Sequence, residues 1–153
     1  MSKVVLITGS AKGIGRAIAL ELAKEGYDIA INYLTSVNEA TLLVEEITNK
    51  YQVKSIAIKA DVSKEEEVDT LVSTIENTLG NVDILINNAA IESIEFFKNK
   101  KAEDFKRVLD VNLIGAYNTS KRVYQNMIDK KWGRIINISS TNGINTYYPS
   151  NLE

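Results

Sequence analysis

Five short apolar runs rich in β-branched residues recur along the chain, and segments with helical spacing separate them. Each run is apolar at consecutive positions, which is typical of strands buried on both faces of a parallel sheet. Parallel strands need crossover connections, and helices usually provide them. We therefore predict a doubly wound, Rossmann-type α/β sheet with three α/β/α layers and strand order 3-2-1-4-5. The strands are expected at residues 3–8, 28–33, 54–59, 83–88 and 134–139.

Helices are predicted at residues 13–25, 37–50, 64–79, 102–111 and 113–129. The third begins with a capping signal, in which Ser63 is the N-cap and Glu66 occupies the capping-box position. The first three helices each carry one apolar face. These faces comprise Ile14, Ala17, Ile18 and Leu22 in the first helix, Ala40, Leu43, Val44 and Ile47 in the second, and Val68, Leu71, Val72 and Ile75 in the third.

The composition excludes several functions. The 153 residues include no cysteine and no histidine, so disulfides, thiolate metal sites and a histidine general base are excluded, and we predict no metal. The formal net charge of -2 offers no basic patch for nucleic acid or for an anionic membrane. The N-terminal apolar run is too short to span a membrane and lacks a signal-peptide pattern. We expect a single domain over residues 1–153 in a soluble, cytoplasmic protein.

Three glycines lie between the first predicted strand and the first helix. Gly9, Gly13 and Gly15 have the spacing Gly-x-x-x-Gly-x-Gly. A dinucleotide pyrophosphate must approach the backbone closely at such a turn, and the helix N-terminus adds N–H donors and a favourable dipole. The ending of a nucleoside triphosphate loop is missing, because Arg16 and Ala17 follow Gly15. The motif predicts a dinucleotide site, and the alternative is that the glycines only shape a tight turn.

Four further motifs follow the glycine loop in a fixed order. The five motifs are Thr8-Gly-x-x-x-Gly-Ile-Gly15, Asp61-Val62, Asn87-Asn88-Ala89-Ala90, Val111-Asn112-Leu113 and Asn137-Ile138-Ser139-Ser140-x-x-Gly143. Together they resemble the motifs of the short-chain dehydrogenase/reductases, and within that family the sequence is most similar to the 3-oxoacyl-acyl-carrier-protein reductases. The resemblance extends from Lys3 onward.

The resemblance implies a cofactor site. The glycine loop would hold the pyrophosphate, Asp61 and Val62 would contact the adenine, and Asn88 would line the adenosine ribose. Ala90 departs from the family pattern, which usually has glycine there, so its Cβ could narrow the groove. An Asn-Asn pair that only forms a turn is the alternative. The expected cofactor contacts are Thr8, Gly9, Ser10, Lys12, Gly13, Ile14, Gly15, Asn32, Tyr33, Thr35, Ser36, Asp61, Val62, Asn88, Ala89 and Ala90.

Two residues are implied to take part in chemistry. Ser140 matches the catalytic serine that hydrogen-bonds the substrate carbonyl oxygen, and Ser139 would support it. Asn112 matches the asparagine that helps to hold a water and the catalytic lysine in a proton relay. The alternatives are a serine turn and a solvent-facing amide in a helix.

The choice of cofactor follows from charge. Nicotinamide cofactors without a 2′-phosphate are held by an acidic side chain at the end of the second strand. Residues 31–36 read INYLTS and contain no acid. Lys12 can supply positive charge, and Thr35 and Ser36 can donate hydroxyls, so we expect NADP(H). A solvated Lys12 is the alternative.

The resemblance also implies a Tyr-x-x-x-Lys pair about a dozen residues after Ser140, where the tyrosine is the general acid. None follows Ser140, because Asn151 and Leu152 stand four positions after Tyr147 and Tyr148. We therefore expect an N-terminal portion of an NADP(H)-dependent carbonyl reductase that is inactive by itself. A short nucleotide-binding module without catalysis is the alternative.

The resemblance further implies the partners. The substrate would be a carbonyl compound, either a small molecule or a 3-oxoacyl thioester on an acyl carrier protein. The full-length protein would be a homotetramer built partly on the long helices. The apolar residues that suggest this assembly are Tyr117, Val123, Tyr124 and Met127.

Overall fold

The computed structural model describes residues 2–93 and 97–141. Five strands form one sheet in the order β3-β2-β1-β4-β5, and every neighbouring pair is parallel. The predicted sheet order is confirmed. The strands are β1 (Val4–Ile7), β2 (Asp28–Tyr33), β3 (Ser55–Lys59), β4 (Val82–Asn87) and β5 (Arg134–Asn137).

Helices cover both faces of the sheet and make three layers. One core cluster packs α1 and α2 against the strands, and a second packs α3 and α5 against the opposite face. A π-helical turn, Asp110–Ile114, joins α4 to α5. The helices are α1 (Gly13–Lys24), α2 (Val37–Tyr51), α3 (Glu65–Thr78), α4 (Ala102–Leu109) and α5 (Gly115–Asp129), with a short 3₁₀ turn at Phe97–Asn99.

The buried face of α1 differs from the predicted one. Ile14 is 65% exposed and Ala17 is exposed, while Ile18 and Leu22 are only partly buried. Short side chains let the helix approach the strands closely. The predicted face was therefore right only for Ile18 and Leu22, which pack against the core, and wrong for Ile14 and Ala17. The face that α1 does bury consists of Gly15, Ala19 and Ala23.

The faces predicted for α2 and α3 are confirmed. Their apolar residues recur every three to four positions and point at the sheet. Val44 is only partly buried. The fully buried members are Ala40, Leu43 and Ile47 in α2 and Val68, Leu71, Val72 and Ile75 in α3.

The start of α3 also differs from the prediction. The helix begins at Glu65, and Lys64 occupies the N-cap position without a side-chain capping bond. Ser63 instead donates its backbone N–H and its hydroxyl to the Asp61 carboxylate, at 3.0 and 2.7 Å. In a capping box the Ser63 N–H would donate to the Glu66 side chain and the Ser63 hydroxyl would accept from a backbone N–H. Here that N–H donates to Asp61 and the hydroxyl accepts from Arg107 Nη1 at 2.9 Å, so the predicted capping box of Ser63 and Glu66 does not form.

The edge strand β5 is exposed, contrary to the expectation of burial on both faces. All four of its residues are exposed, including Ile135 at 39% and Ile136 at 45%. Only β4 pairs with it among the described residues. The apolar run correctly predicted a strand, but burial depends on neighbours that a run of residues does not specify.

The apolar residues of α5 divide between two environments. Val123 and Met127 are buried in the core, so the prediction that they add to an assembly surface was wrong. Tyr117 and Tyr124 are 59% and 46% exposed. No helix within residues 2–93 and 97–141 combines the length and the apolar character needed to cross a membrane.

Candidate functional site

The carboxyl ends of the parallel strands meet along one edge of the sheet, and two cavities open there. The β2-side cavity, of about 450 Å³, lies against the ends of β2 and β3. The β5-side cavity, of about 510 Å³, lies between the ends of β4 and β5. Both are lined by Val62, Asn88, Ala89 and Ala90, so they form one continuous crevice. This is where open α/β sheets bind ligands.

Most of the predicted cofactor contacts line this crevice. The exceptions are Ser10, Gly13 and Gly15, which line neither cavity. Ser10 is fully buried. The β2-side cavity adds Gly9, Lys12, Asn32, Tyr33, Thr35, Ser36 and Asp61 to the shared residues, and the β5-side cavity adds Thr8, Ile14, Asn112, Ser139 and Ser140.

The three loop glycines are needed for different physical reasons. A Cβ on Gly9 would lie 2.9 Å from Ala89 Cα, and one on Gly15 would lie 2.8 Å from Ser10 Cα, so both positions exclude side chains by contact within the protein. Gly13 faces open space and has a φ of 60°, a left-handed conformation that glycine adopts readily. The loop is therefore a cradle that Ala89 and the Ser10 backbone close from below and that is open above Gly13.

Thr8 and Asn88 tie the ends of β1 and β4 together. The Thr8 hydroxyl accepts hydrogen bonds from the backbone N–H of Asn88 at 2.9 Å and of Ala89 at 3.0 Å. In return, Asn88 Nδ2 donates to the Thr8 carbonyl at 2.9 Å and to the Gly9 carbonyl at 3.2 Å. Both residues therefore hold the shape of the crevice in addition to lining it.

Asn32 braces the glycine loop from the β2 side. Its side chain is buried, and Oδ1 accepts a hydrogen bond from Gly9 N–H at 3.2 Å. Its Nδ2 donates to the Ala60 carbonyl at 3.0 Å, and its own carbonyl accepts from Ser10 N–H at 2.9 Å. The Ser10 hydroxyl turns inward to the Ile7 carbonyl at 2.7 Å. These two predicted contacts thus support the loop from beneath.

Asp61 is held by a partner that the sequence did not suggest. Its Oδ1 accepts both hydrogen bonds from Ser63, and its Oδ2 accepts one from Arg107 Nη2 at 3.0 Å. Burial raises the pKa of this carboxyl, but the Ser63 hydrogen bonds and the nearby Arg107 charge outweigh burial and lower the pKa from its ordinary value of 3.8. Asp61 is therefore an anion in a neutralised pair at neutral pH.

Lys12 is the cation at the mouth of the β2-side cavity. Its side chain is exposed and has no ion-pair partner among the described residues. Thr35 and Ser36 line the same cavity, and within residues 2–93 and 97–141 neither hydroxyl makes a hydrogen bond. Asp61 is the one carboxylate among the lining residues, and Arg107 compensates it. The cavity can therefore accommodate an anionic group.

Asn112 lies in the π-helical turn, where Gly115 N–H bonds to the Asp110 carbonyl five residues earlier. Its side chain is exposed, and its amide pairs with both backbone groups of Ile91. Oδ1 accepts from Ile91 N–H at 2.9 Å, and Nδ2 donates to the Ile91 carbonyl at 3.0 Å. The amide thus orders the loop after β4, and a role in a proton relay stays a prediction. Single π-helical turns such as the one that holds Asn112 occur frequently at functional sites.

Ser139 and Ser140 follow β5 and line the β5-side cavity together with Asn112. Their position depends on Asn87, which lies directly opposite Asn137 in the β4–β5 register. Asn87 Nδ2 donates to Asn137 Oδ1 at 2.9 Å, and Ile138 N–H donates to the Asn87 carbonyl at 2.9 Å. The end of β5 is therefore fastened to β4 just before the serine pair.

The spacing Tyr-x-x-x-Lys does occur once before Ser140, at Tyr117 and Lys121, which the sequence analysis did not consider. Both lie on α5 and neither lines the crevice. Lys121 forms an ion pair with Glu65 at 2.7 Å. This pair is therefore placed on the helical surface, away from the crevice. Tyr147 and Tyr148 lie outside the described residues.

Sequence reasoning missed residues whose role depends on distant partners. Arg107 is 46 positions from Asp61, and Asn87 is 50 positions from Asn137. Asn87 belonged to a quoted motif without an assigned role, whereas nothing in the local sequence distinguished Arg107 from the other surface cations. Pairing of polar or charged side chains across elements was the signal that a single sequence does not display.

Comparison with known proteins identifies relatives. The family model described as short chain dehydrogenase matches residues 3–151. A 3-oxoacyl-acyl-carrier-protein reductase from Staphylococcus epidermidis is 41% identical over 143 residues, which cover 94% of this chain and 58% of that protein. The corresponding reductase of Aquifex aeolicus is 41% identical over 141 residues, covering 92% of this chain and 56% of that protein.

Solved structures with the same fold include two oxidoreductases. A double mutant of a Serratia marcescens short-chain dehydrogenase/reductase superposes with a TM-score of 0.89 at 32% identity, covering 97% of this chain and 59% of that one. A xylitol dehydrogenase bound to NAD+ superposes with a TM-score of 0.88 at 32% identity, covering 98% of this chain and 56% of that one. The chain thus spans less than two thirds of the length of each of these proteins.

Proposed function

The chain belongs to the short chain dehydrogenase family, and from this premise we propose that it provides the cofactor site of an NADP(H)-dependent carbonyl reductase. The observation that carries the proposal is the continuous crevice. It places the cradle of the glycine loop and the cation Lys12 at one end, and Ser140 and Asn112 at the other. A site that only bound nucleotides would have no use for the second end, so this arrangement favours the reductase over a binding module without catalysis.

The residues present fit a nicotinamide dinucleotide. The open space above Gly13, at the N-terminus of α1, suits a pyrophosphate because N–H groups and the helix dipole point there. Asp61 and Val62 would hold the adenine, and Asn88 would line the ribose. When bound, the nicotinamide would supply or accept the hydride.

The finer choice of NADP(H) rests on charge. Asp61 is paired with Arg107, so Lys12 is the cation lining the β2-side cavity without a partner among the described residues. The hydroxyls of Thr35 and Ser36 can donate hydrogen bonds to a phosphate, and no acidic side chain stands at the end of β2 to repel one.

At the other end, Ser140 would donate its hydroxyl to the substrate carbonyl oxygen as negative charge develops there. Ser139 would support that position. Asn112 would contribute to the proton relay through the hydrogen-bonding capacity that Ile91 leaves unused, because each amide atom can make a second hydrogen bond.

The substrate class and the assembly are proposed from the relatives. The similar reductases carry names that specify a 3-oxoacyl group on an acyl carrier protein. We extend this to a 3-oxoacyl thioester substrate, a cytoplasmic location and a homotetramer. The exposed side chains of Tyr117 and Tyr124 on α5 support an assembly surface there.

Titration of NADPH and NADH by fluorescence tests the cofactor. We expect tighter binding of NADPH, and Lys12→Ala should weaken NADPH binding about tenfold while leaving NADH nearly unchanged. Lys24→Ala is the matched control, since Lys24 lies at the other end of α1 and pairs with Glu21. Equal affinities of the unchanged protein for the two cofactors would remove the charge argument.

An activity assay tests the reaction. The whole protein should oxidise NADPH in the presence of an acetoacetyl thioester, and an intact mass of the same sample should identify the chain that carries the activity. Binding of NADPH without oxidation by any carbonyl substrate would instead support the nucleotide-binding module.

A further inference from the structure

Arg107 occupies an unusual position at the wall of the β2-side cavity. It lies on α4, and its guanidinium makes a fork in which Nη2 donates to Asp61 Oδ2 at 3.0 Å and Nη1 donates to the Ser63 hydroxyl at 2.9 Å. Ser63 in turn donates to the other oxygen of the same carboxylate at 2.7 Å. The three side chains therefore form a closed ring of hydrogen bonds beside the cavity.

This ring controls how Asp61 can meet a ligand. A carboxylate offers about four acceptor positions, two on each oxygen. Ser63 occupies both positions on Oδ1, and Arg107 occupies one on Oδ2. The capacity that remains is on Oδ2, the oxygen that Arg107 orients. Arg107 thus determines which direction Asp61 presents to a donor in the cavity.

The same contact anchors α4. None of its residues is fully buried, so apolar packing within the described chain contributes little to holding it in place. Two other side chains of α4, Glu103 and Lys106, pair with residues that adjoin the helix, whereas Arg107 reaches the loop after β3. Loss of the fork would therefore release both the Asp61 side chain and the helix that leads into the π-helical turn.

We propose that Arg107 is a positioning residue for the adenosine end of the cofactor site, acting through Asp61 and Ser63. The inference rests on the proposed binding of a nicotinamide dinucleotide. Because Arg107 acts through Asp61 and not on the 2′-phosphate, its loss weakens NADPH and NADH binding by the same factor. ADP-ribose, which keeps the adenosine half and lacks the nicotinamide, is affected to the same extent.

Fluorescence and calorimetric titrations of Arg107→Met with NADPH, NADH and ADP-ribose test this. A charge-assisted fork of this kind leads us to expect about a tenfold loss for each of the three ligands. Arg107→Lys keeps the charge but cannot reproduce the planar fork, so it should recover only part of the affinity. If Arg107→Met folds poorly, the same titrations of Arg107→Lys test the proposal.

Arg122→Met is the matched control. Arg122 pairs with Asp69 and Glu76 between α3 and α5, outside both cavities, so its loss should lower the melting temperature and leave the three affinities unchanged. A general structural effect of removing an arginine would lower the affinities of both variants alike and would overturn the proposal.

A double-mutant cycle with Asp61→Asn identifies the route of the effect. If Arg107 acts through Asp61, the double variant binds no more weakly than the weaker single variant. Additive losses, a loss confined to NADPH, or unchanged affinities in Arg107→Met would each contradict the inference. Failure of the unchanged protein to bind any of the three ligands would instead reject the proposed function.

Discussion

The two sides of β4 differ. The contact between β1 and β4, the first seam, is buried, and side chains form hydrogen bonds across it. The contact between β4 and β5, the second seam, includes an exposed edge strand. At the first seam, Thr8 and Asn88 exchange hydrogen bonds with each other's backbone groups just after the ends of the two strands. At the second, the Asn87–Asn137 contact fastens a strand whose four residues are all exposed. Several side-chain hydrogen bonds therefore tie the glycine loop to the loop after β4, whereas the serine pair after β5 depends on a few contacts at the edge of the sheet.

The strongest test of this comparison is Ser140→Ala in the whole protein. If the β5 side serves chemistry and the β1 side serves binding, kcat should fall by about 10² to 10³, the usual cost of losing a donor to a developing oxyanion. The dissociation constant for NADPH should stay unchanged. Steady-state kinetics and a parallel titration measure the two quantities.

Ser139→Ala is the control for that variant, because it removes the neighbouring hydroxyl and should lower kcat much less. A comparable loss of kcat for both serine variants, or a large loss of NADPH affinity in Ser140→Ala, would contradict the proposal that the β5 side serves chemistry and the β1 side serves binding.

The second test concerns the cradle. Gly15→Ala should lower the free energy of unfolding by about 2–3 kcal/mol, since overpacking of a closed site forces backbone shifts. The added Cβ would lie 2.8 Å from Ser10 Cα and 2.6 Å from Asn88 Nδ2. Urea denaturation followed by circular dichroism measures the loss.

Gly13→Ala sharpens this test, because Gly13 has open space and only a positive φ. The expected loss is about 1 kcal/mol from the left-handed conformation. Equal stabilities for the alanine variants at positions 13 and 15 would show that close contact does not specify the cradle.

The third test is the pH dependence of the hydrogen-bonded ring of Asp61, Ser63 and Arg107. The folded-state pKa of Asp61 is lowered, because the Ser63 hydrogen bonds and the Arg107 charge outweigh the opposing effect of burial. The resulting stabilisation is therefore fully present above the unfolded-state pKa and is lost as the pH falls through the folded-state pKa. At neutral pH, Asp61→Asn should lower the free energy of unfolding by about 1.5 kcal/mol, which is the lower end of the usual range for hydrogen bonds to a charged group.

Urea denaturation of both proteins between pH 7 and pH 3 checks the sign. The gap between the unchanged protein and Asp61→Asn should be constant at higher pH and shrink below the ordinary carboxyl pKa of 3.8. A gap that widened on acidification would contradict the assignment.

The strands, their parallel order and the apolar faces of α2 and α3 could be predicted, because period and β-branching are local properties of the residues. The ordered motifs also led to most of the lining of the crevice. The face of α1 could not be predicted in the same way. Its buried residues are small, and only the proximity of the sheet makes a small residue the right one to bury.

Local residue patterns were enough to define the sheet, the turn that holds the three glycines and the set of polar residues at the strand ends. Which of those residues face the crevice and which support it depended on the packed fold. Asn32 braces the glycine loop while it lines the crevice, and Ser10 turns inward, because buried backbone groups require partners. Arg107 lies beside Asp61 at the β2-side cavity only once α4 has packed beside the loop after β3, so no local pattern could identify it.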